Sequence, residues 1–250
     1  WNNIATGHRE LGLYKKALKY YDNSMAICEK LDDYGWVTNS LLDIGDIYHI
    51  QGNYKKAKTI FEKSLNLSRE LGKSDINIAY SLFGLGKVDY QLQLITESTN
   101  HLNEAKKILD SSKHKAFGYE HLNLKIDILP ILCLALFEEN NSVDKIFRYY
   151  NKIIKVFDEL SIEALNYFID LIKKIIKQNQ IEDNLIIKKY NFDKDYKLIL
   201  QFTYNKIHAI SKKIQTREFQ ESFINKVPIH KAIVEEWEKV KWFGSIFIQL

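Results

Sequence analysis

Residues that break helices are scarce in this chain. Its 250 residues include 2 prolines and 10 glycines, too few to separate the many short strands of a β-sandwich or barrel. Lysine, leucine, isoleucine and glutamate, which form helices well, are frequent along the whole length. No pair of alternating segments joined by a hairpin turn is visible. The composition therefore predicts an all-α protein.

Cysteine and long apolar runs are also scarce. Cys28 and Cys133 lie far apart, each in an apolar helical segment, whereas a disulfide framework needs more cysteines in a shorter chain. We expect both to be buried, reduced thiols. No run of 18 apolar residues exists, so no transmembrane helix is expected. No secretory signal is visible, and the expected compartment is the cytoplasm.

Charge of one sign is not concentrated anywhere. The 36 basic and 32 acidic residues leave a net charge of +4, and the two signs alternate as on solvated helix faces. Because nucleic-acid binding proteins cluster their lysines and arginines, this distribution argues against a nucleic-acid partner. The aromatic content of 13% could serve base stacking, but the repeat described below accounts for most of those rings.

Catalytic and metal-binding motifs are missing. The sequence contains no GxxxxGK[ST], HExxH, GxSxG or CxxC, and its 7 histidines are scattered without acidic or cysteine partners at ligand spacing. We expect no metal, no cofactor and no catalysis in this chain. An enzyme without a recognisable motif is the alternative, and a buried charged cluster with displaced pKa values in the C-terminal half would favour it.

What the sequence does have is a repeat. GLYKKALKYYDNSM begins at Gly12 and GNYKKAKTIFEKSL begins at Gly52, forty residues later. The same register aligns further residues of one size class: Tyr14 with Tyr54, Ala17 with Ala57, Tyr21 with Phe61, Ser24 with Ser64, Ile4 with Ile44 and Leu31 with Leu71. Each copy reads as helix, glycine turn and amphipathic helix. Such periodic similarity is the signature of a repeat architecture.

Later copies diverge. A third copy follows with a slip of one residue, and Gln93 stands where the turn glycine would be. A fourth, degenerate pair runs from about 117 to 160, with a breaker at 139–142 and Pro130 inside its first helix. Beyond it the repeat fades into helical patterns at 162–177, 196–214 and 219–237, and Pro228 suits the first turn of the last helix. We expect residues 243–248 to form either a short strand or an ordered apolar end.

The pattern Leu41-x2-Ile44-Gly45-x2-Tyr48-x3-Gly52-x-Tyr54-x2-Ala57-x3-Phe61-x2-Ser64 resembles the tetratricopeptide repeat (TPR). Its long period is similar to the TPRs of kinesin light chains and bacterial signalling proteins. The resemblance implies a right-handed α-α superhelix, with repeats over 1–110, a degenerate helical pair over 111–160 and a divergent helical cap over 161–250. Trp1 falls on a first-helix position of the motif, so we expect the chain to begin inside a repeat of a longer protein.

In TPR arrays the first helix of each pair lines a concave groove. The resemblance places these residues in that groove: Arg9, Asn39, Leu42, Asp46, His49, Tyr80, Phe83, Lys87 and Tyr90. Their mixture of aromatic, apolar and charged groups suits a protein or peptide segment. An equal expectation is that the groove is simply filled with water or with the protein's own tail.

The expected function is therefore binding. The segment 217–233 is similar to one that closes TPR arrays in large bacterial regulators, which favours a scaffold or sensor region that also contacts other domains of the same polypeptide and relays binding to them. A peptide-pheromone sensor, in which the array closes around a short peptide, is the main alternative. A nucleic-acid-binding helical repeat and an enzyme are weaker ones.

Overall fold

The computed structural model describes residues 1–72, 75–111, 118–139, 143–156, 159–179 and 192–245. These residues form twelve helices and no strand, which confirms the predicted all-α class. The helices are α1 (Asn2–Glu10), α2 (Tyr14–Lys30), α3 (Tyr34–Ile50), α4 (Tyr54–Leu71), α5 (Asp75–Gln91), α6 (Ile95–Ser111), α7 (Gly118–Glu138), α8 (Val143–Val156), α9 (Ile162–Asn179), α10 (Phe192–Lys212), α11 (Arg217–Asn225) and α12 (Pro228–Ser245).

The turns between paired helices share a left-handed residue. Gly12 and Gly52 have φ of +72° and +75°, a conformation that costs glycine nothing. In the third pair Gln93 takes the same place with φ of +62°. The lost glycine therefore leaves the turn geometry unchanged, although a side chain at positive φ costs about 1 kcal/mol.

Small residues let the helices of neighbouring repeats approach a shared aromatic ring. Phe61 on α4 is 1% exposed and lies between Gly45 on α3 and Gly84 on α5. A Cβ at Gly45 would stand 2.6 Å from the Phe61 ring, and one at Gly84 would stand 2.5 Å from it. A larger residue at either glycine would therefore displace the ring.

The fourth pair and the C-terminal helices continue the stack. α7 runs as one helix through Pro130. As expected, Pro228 is the first residue of α12. Residues 140–142 of the predicted breaker and residues 246–250 of the tail lie outside the described residues, while α12 already includes Phe243 to Ser245. No described helix is long and apolar enough to cross a membrane.

One apolar core joins the repeats to the C-terminal helices. It extends from Phe61 in the second repeat through Leu132 on α7 and Phe168 on α9 to Ile233 on α12. A smaller cluster around Tyr21 holds the first repeat to α3. The core is therefore continuous on both sides of residues 110 and 160, and the division of the chain at these positions stays a prediction. Cys133 is buried as expected, but Cys28 is only partly buried; both are free thiols.

Candidate functional site

A buried ion-pair network joins the concave face of the repeats to α9. Lys87 on α5 is 3% exposed, and its Nζ lies 3.0 Å from Asp46 Oδ1 and 3.1 Å from Glu163 Oε2. Burial alone would lower the pKa of Lys87, but Asp46 and Glu163 outweigh burial and raise it. The ammonium group is therefore fixed between a repeat carboxylate and a carboxylate of the C-terminal region.

Arg9 extends this network into the first repeat. Its Nη1 lies 2.5 Å from Asp43 Oδ1 and 3.6 Å from Asp46 Oδ2. Burial opposes ionisation of Asp46, yet Lys87 and Arg9 together lower its pKa. Asp46 is thus a charged group shared by two cations, which ties α1, α3 and α5 together.

His49 stands beside the network in a different state. Burial, and then the positive charge of Lys87, lower the pKa of His49, while Glu163 and Asp46 partly oppose them. The imidazole is therefore neutral at neutral pH. The hydroxyl of Tyr167 lies 3.5 Å from His49 Nε2, and Glu163 Oε1 lies 3.7 Å from Nδ1. Among the described atoms, Nδ1 is buried without a hydrogen-bond partner.

These groups form one side of a cavity of about 660 Å³. Its wall on the repeat side consists of Arg9, Glu10, Tyr14, Asp46, His49, Ile50, Tyr54 and Gln91. Its opposite wall consists of Ile162, Glu163, Asn166, Tyr167, Asp170, Ile210, Phe223, Val227, Pro228, Ile229, His230 and Ala232. The cavity thus lies between α1–α5 and the C-terminal helices and is partly open to solvent.

Most polar residues of the second wall form one stripe of α9, and His230 on α12 is the other polar residue there. Glu163, Asn166, Tyr167 and Asp170 recur at the i, i+3, i+4, i+7 spacing and all line the cavity. The other face of α9 carries Leu165, Phe168 and Ile172, which are fully buried. Asp127 on α7 accepts a hydrogen bond from the Ser161 backbone N–H at 2.9 Å, which holds the N-terminus of α9 in place.

The first turn and α11, which lie near opposite ends of the described chain, meet beside the cavity. Ser222 Oγ on α11 donates a hydrogen bond of 2.5 Å to the carbonyl oxygen of Leu11 in the first turn, 211 residues away in sequence. A Cβ at Gly12 would stand 2.9 Å from Lys226 Cβ and 3.0 Å from its carbonyl carbon. We call this contact between the first turn and α11 the closure contact, because it joins the two walls of the cavity.

The structure brings three of the predicted groove residues to the cavity wall, namely Arg9, Asp46 and His49. Lys87 lies directly behind the wall, with its Nζ 5.0 Å from the centre of the Phe83 ring. The Tyr90 hydroxyl accepts a hydrogen bond of 3.1 Å from Lys174 of α9. Asn39 accepts one of 3.1 Å from Asn77.

Leu42 and Tyr80 are partly buried and pack against the core. Binding at these positions stays a prediction, but in this structure Lys87 and Tyr90 are already in contact with α9.

The sequence did not point to the residues of α9. The TPR motif ends before α9, so nothing in the motif marks Glu163 or Asp170. Their spacing was visible as a polar stripe in an apolar helix, yet the same stripe is typical of a solvent-exposed face. In the described part of the chain, no three His, Cys, Asp or Glu side chains are grouped so as to hold a metal ion.

Comparison with known families identifies the repeats. The Tetratricopeptide repeat family model matches residues 1–70 and again 40–111. The two matched ranges overlap within the second helix pair and together cover the three pairs α1–α6. This agrees with the register read from Gly12 and Gly52.

Two known proteins are similar over longer stretches. Response regulator aspartate phosphatase H of Bacillus subtilis (strain 168) is 21% identical over 182 residues, covering 63% of this chain and 48% of that protein. The chain thus spans about half the length of this curated relative. The crystal structure of BtubC (BKLC) from P. vanneervenii has a TM-score of 0.52 at 11% identity and covers 92% of both chains. That similarity concerns the fold.

Proposed function

Because residues 1–111 are tetratricopeptide repeats, we propose that this chain is a protein- or peptide-binding region and that its binding site is the cavity between the repeats and the C-terminal helices. One observation carries the proposal. Arg9, Asp46 and His49, which the repeat pattern assigns to the concave surface, meet the polar stripe of α9 across a cavity of about 660 Å³. Volumes of this size are typical of sites that enclose a ligand.

The internal contacts of the groove limit what can bind. Lys87 and Tyr90 contact Glu163 and Lys174 of α9, so a long helix cannot lie along the third repeat unless α9 leaves. A short segment that enters beside α12 needs no such rearrangement. The position of α9 in the groove therefore favours a peptide over a folded partner, which supports the short-peptide sensor as the more specific form of this proposal.

The charged cluster itself supports binding rather than catalysis. A buried charged cluster with displaced pKa values in the C-terminal half was the feature expected to favour an enzyme. The cluster observed here has only Glu163 in that half, and the groups whose pKa values are displaced, Lys87 and Asp46, belong to the repeats. Here the displaced pKa values keep the charges in place, since Lys87 is held more firmly protonated and Asp46 more firmly ionised. Proton transfer needs a group whose pKa lies near the working pH, and Lys87 and Asp46 do not supply one.

We propose further that the chain is a sensor region of a longer bacterial signalling protein. The similarity to a response regulator phosphatase, of which the chain spans about half, supports this placement. The closure contact between Ser222 and Leu11 couples the cavity to the position of α11 and α12. A ligand that shifts these helices would relay its presence to other domains through that movement.

A peptide pool with a cavity-filling variant tests the site. Ala232 is exposed on α12 and lines the cavity, so Ala232→Trp places an indole in the cavity without replacing a core residue. Ala26→Trp, at an exposed alanine of α2 outside the cavity, is the matched control. The pool is a set of blocked tetrapeptides, and peptides retained by the folded protein are identified by mass spectrometry.

We expect the unmodified chain and Ala26→Trp to retain the same peptides and Ala232→Trp to lose them. Retention of no peptide by the unmodified chain, or equal retention by all three proteins, would overturn the proposal.

A further inference from the structure

We infer that the cavity binds the cationic side chain of a peptide, with Asp170 as its acceptor and an apolar neighbour of the basic residue packed against α10–α12. This inference rests on the proposed function and names the chemistry of its ligand. The electrostatic composition of the wall is the first argument. Four carboxylates line the cavity, on Glu10, Asp46, Glu163 and Asp170, against one guanidinium, on Arg9.

The internal cations are already used. Arg9 is paired with Asp43 and Asp46, and Lys87 is paired with Asp46 and Glu163. Among the described residues no cation lies within 4.0 Å of the Asp170 carboxylate. The wall is therefore anionic although the chain as a whole carries +4, and a cationic ligand is the one it attracts.

Asp170 is placed to receive such a group. It is the last residue of the α9 stripe and is partly buried. Burial raises its pKa, Lys173 partly opposes this, and Glu236 adds to it. Burial penalises the charge of this carboxylate, and no cation forms an ion pair with it. A cation brought by a ligand therefore stabilises it more than it would stabilise a carboxylate that is already paired.

Two polar atoms in the repeat wall also lack partners within the described structure. His49 is 9% exposed and its Nδ1 is buried without a hydrogen bond, and the same holds for the hydroxyl oxygen of Tyr14. Buried polar atoms are almost always satisfied in a native protein. Both residues line the cavity, so a ligand that enters it can supply the missing hydrogen bonds.

The opposite wall selects for an apolar group beside the cation. Phe223, Val227 and Ile229 line it together with Ile210, which is 37% exposed. Because the apolar side chain of Ile210 is accessible at the cavity wall, covering it with an apolar ligand group would stabilise the complex. The combined surface therefore suits a basic residue next to a leucine or phenylalanine rather than a basic residue alone.

The charge of the retained peptides tests this inference. The pool contains N-acetylated, C-amidated tetrapeptides in which leucine or phenylalanine stands next to lysine, arginine, glutamine or glutamate, so that only the side chains differ in charge. We expect lysine or arginine peptides to be retained about tenfold better than their glutamine counterparts, because charge-assisted hydrogen bonds are stronger than neutral ones.

A pair of variants assigns the acceptor. Asp170→Asn keeps the size of the side chain and removes its charge, while Asp22→Asn removes the same charge from an exposed position on α2. We expect the affinity for a retained lysine peptide to fall about tenfold in Asp170→Asn and to stay unchanged in Asp22→Asn.

Preferential retention of glutamine or glutamate peptides would overturn this inference and leave the proposed function standing. Equal affinity of Asp170→Asn and the unmodified chain would overturn the assignment of Asp170. Retention of no peptide would overturn the inference together with the proposed function.

Discussion

Lys87 Nζ lies 3.1 Å from Glu163 Oε2, although 76 residues separate the two in the sequence. Lys87 belongs to the third repeat and Glu163 to the first helix after the repeats end. The same ammonium contacts Asp46 at 3.0 Å. This contact holds α9 against the repeats, so that the two together form the walls of the partly open cavity.

Removing the charge of Lys87 should therefore destabilise the protein. Lys87→Met leaves Asp46 and Glu163 without their shared cation. Because both carboxylates are about one-third exposed, the expected loss is about 2 kcal/mol, below that of a fully buried pair. Lys63→Met, at an exposed lysine of α4, should change the free energy of unfolding little. Urea denaturation followed by circular dichroism measures both. Equal losses in the two variants would show that the network does not stabilise the fold.

The closure contact can be opened by one methyl group. Gly12 and Gly52 share a left-handed backbone, so alanine at either position costs about 1 kcal/mol. A Cβ at Gly12 also meets Lys226, whereas one at Gly52 meets no described atom within 4 Å. We expect Gly12→Ala to be the more destabilising, with faster hydrogen exchange in α11. Identical exchange of α11 in the two variants would contradict the closure contact.

The packing of Phe61 predicts opposite effects at two helical glycines. Gly84→Ala places a Cβ 2.5 Å from the Phe61 ring, and overpacking of this kind costs about 1–3 kcal/mol. At Gly7 a Cβ meets nothing within 4 Å, so Gly7→Ala should stabilise α1 by about 0.5–1 kcal/mol.

Thermal and urea unfolding measure both changes. Adding Phe61→Leu to Gly84→Ala should recover part of the loss. A double variant whose losses are simply additive would exclude a clash between the two residues.

Asp127 predicts a pH dependence of stability. Burial raises the pKa of Asp127 to about 6, and its hydrogen bonds from Ser161 oppose the shift. The folded state therefore binds more protons than the unfolded state between about pH 4 and pH 6, so the contribution of this group to stability falls as the pH rises through that range.

Asp127→Asn lacks this titration. The variant should gain in stability relative to the unmodified chain from pH 4 to pH 6, and the difference should be constant above about pH 7. Urea unfolding at a series of pH values gives the difference, with Asp22→Asn as the exposed control. Parallel stability curves for the unmodified chain and Asp127→Asn would show that Asp127 titrates normally.

The sequence predicted the repeats because their information is local. Gly12 and Gly52 mark the turns, and the small and large positions around Gly45 and Phe61 recur at a fixed period. This was enough to give the helix pairs and the start of α12 at Pro228. It also predicted groove positions for Arg9, Asp46 and His49, and all three line one cavity. The state of the turn at Gln93 was not readable, because a glutamine gives no signal for the positive φ that it adopts.

The enclosure was decided by the tertiary structure. Glu163 and Asp170 form a polar stripe that a single sequence cannot distinguish from a solvated face, and only the position of α9 against Lys87 and His49 makes it a cavity wall. The bond from Ser222 to Leu11 depends on how far each successive helix pair turns. That rotation accumulates from packing along the whole array. Local sequence therefore determines each repeat, whereas the accumulated rotation of all the helix pairs determines which residues meet at the site.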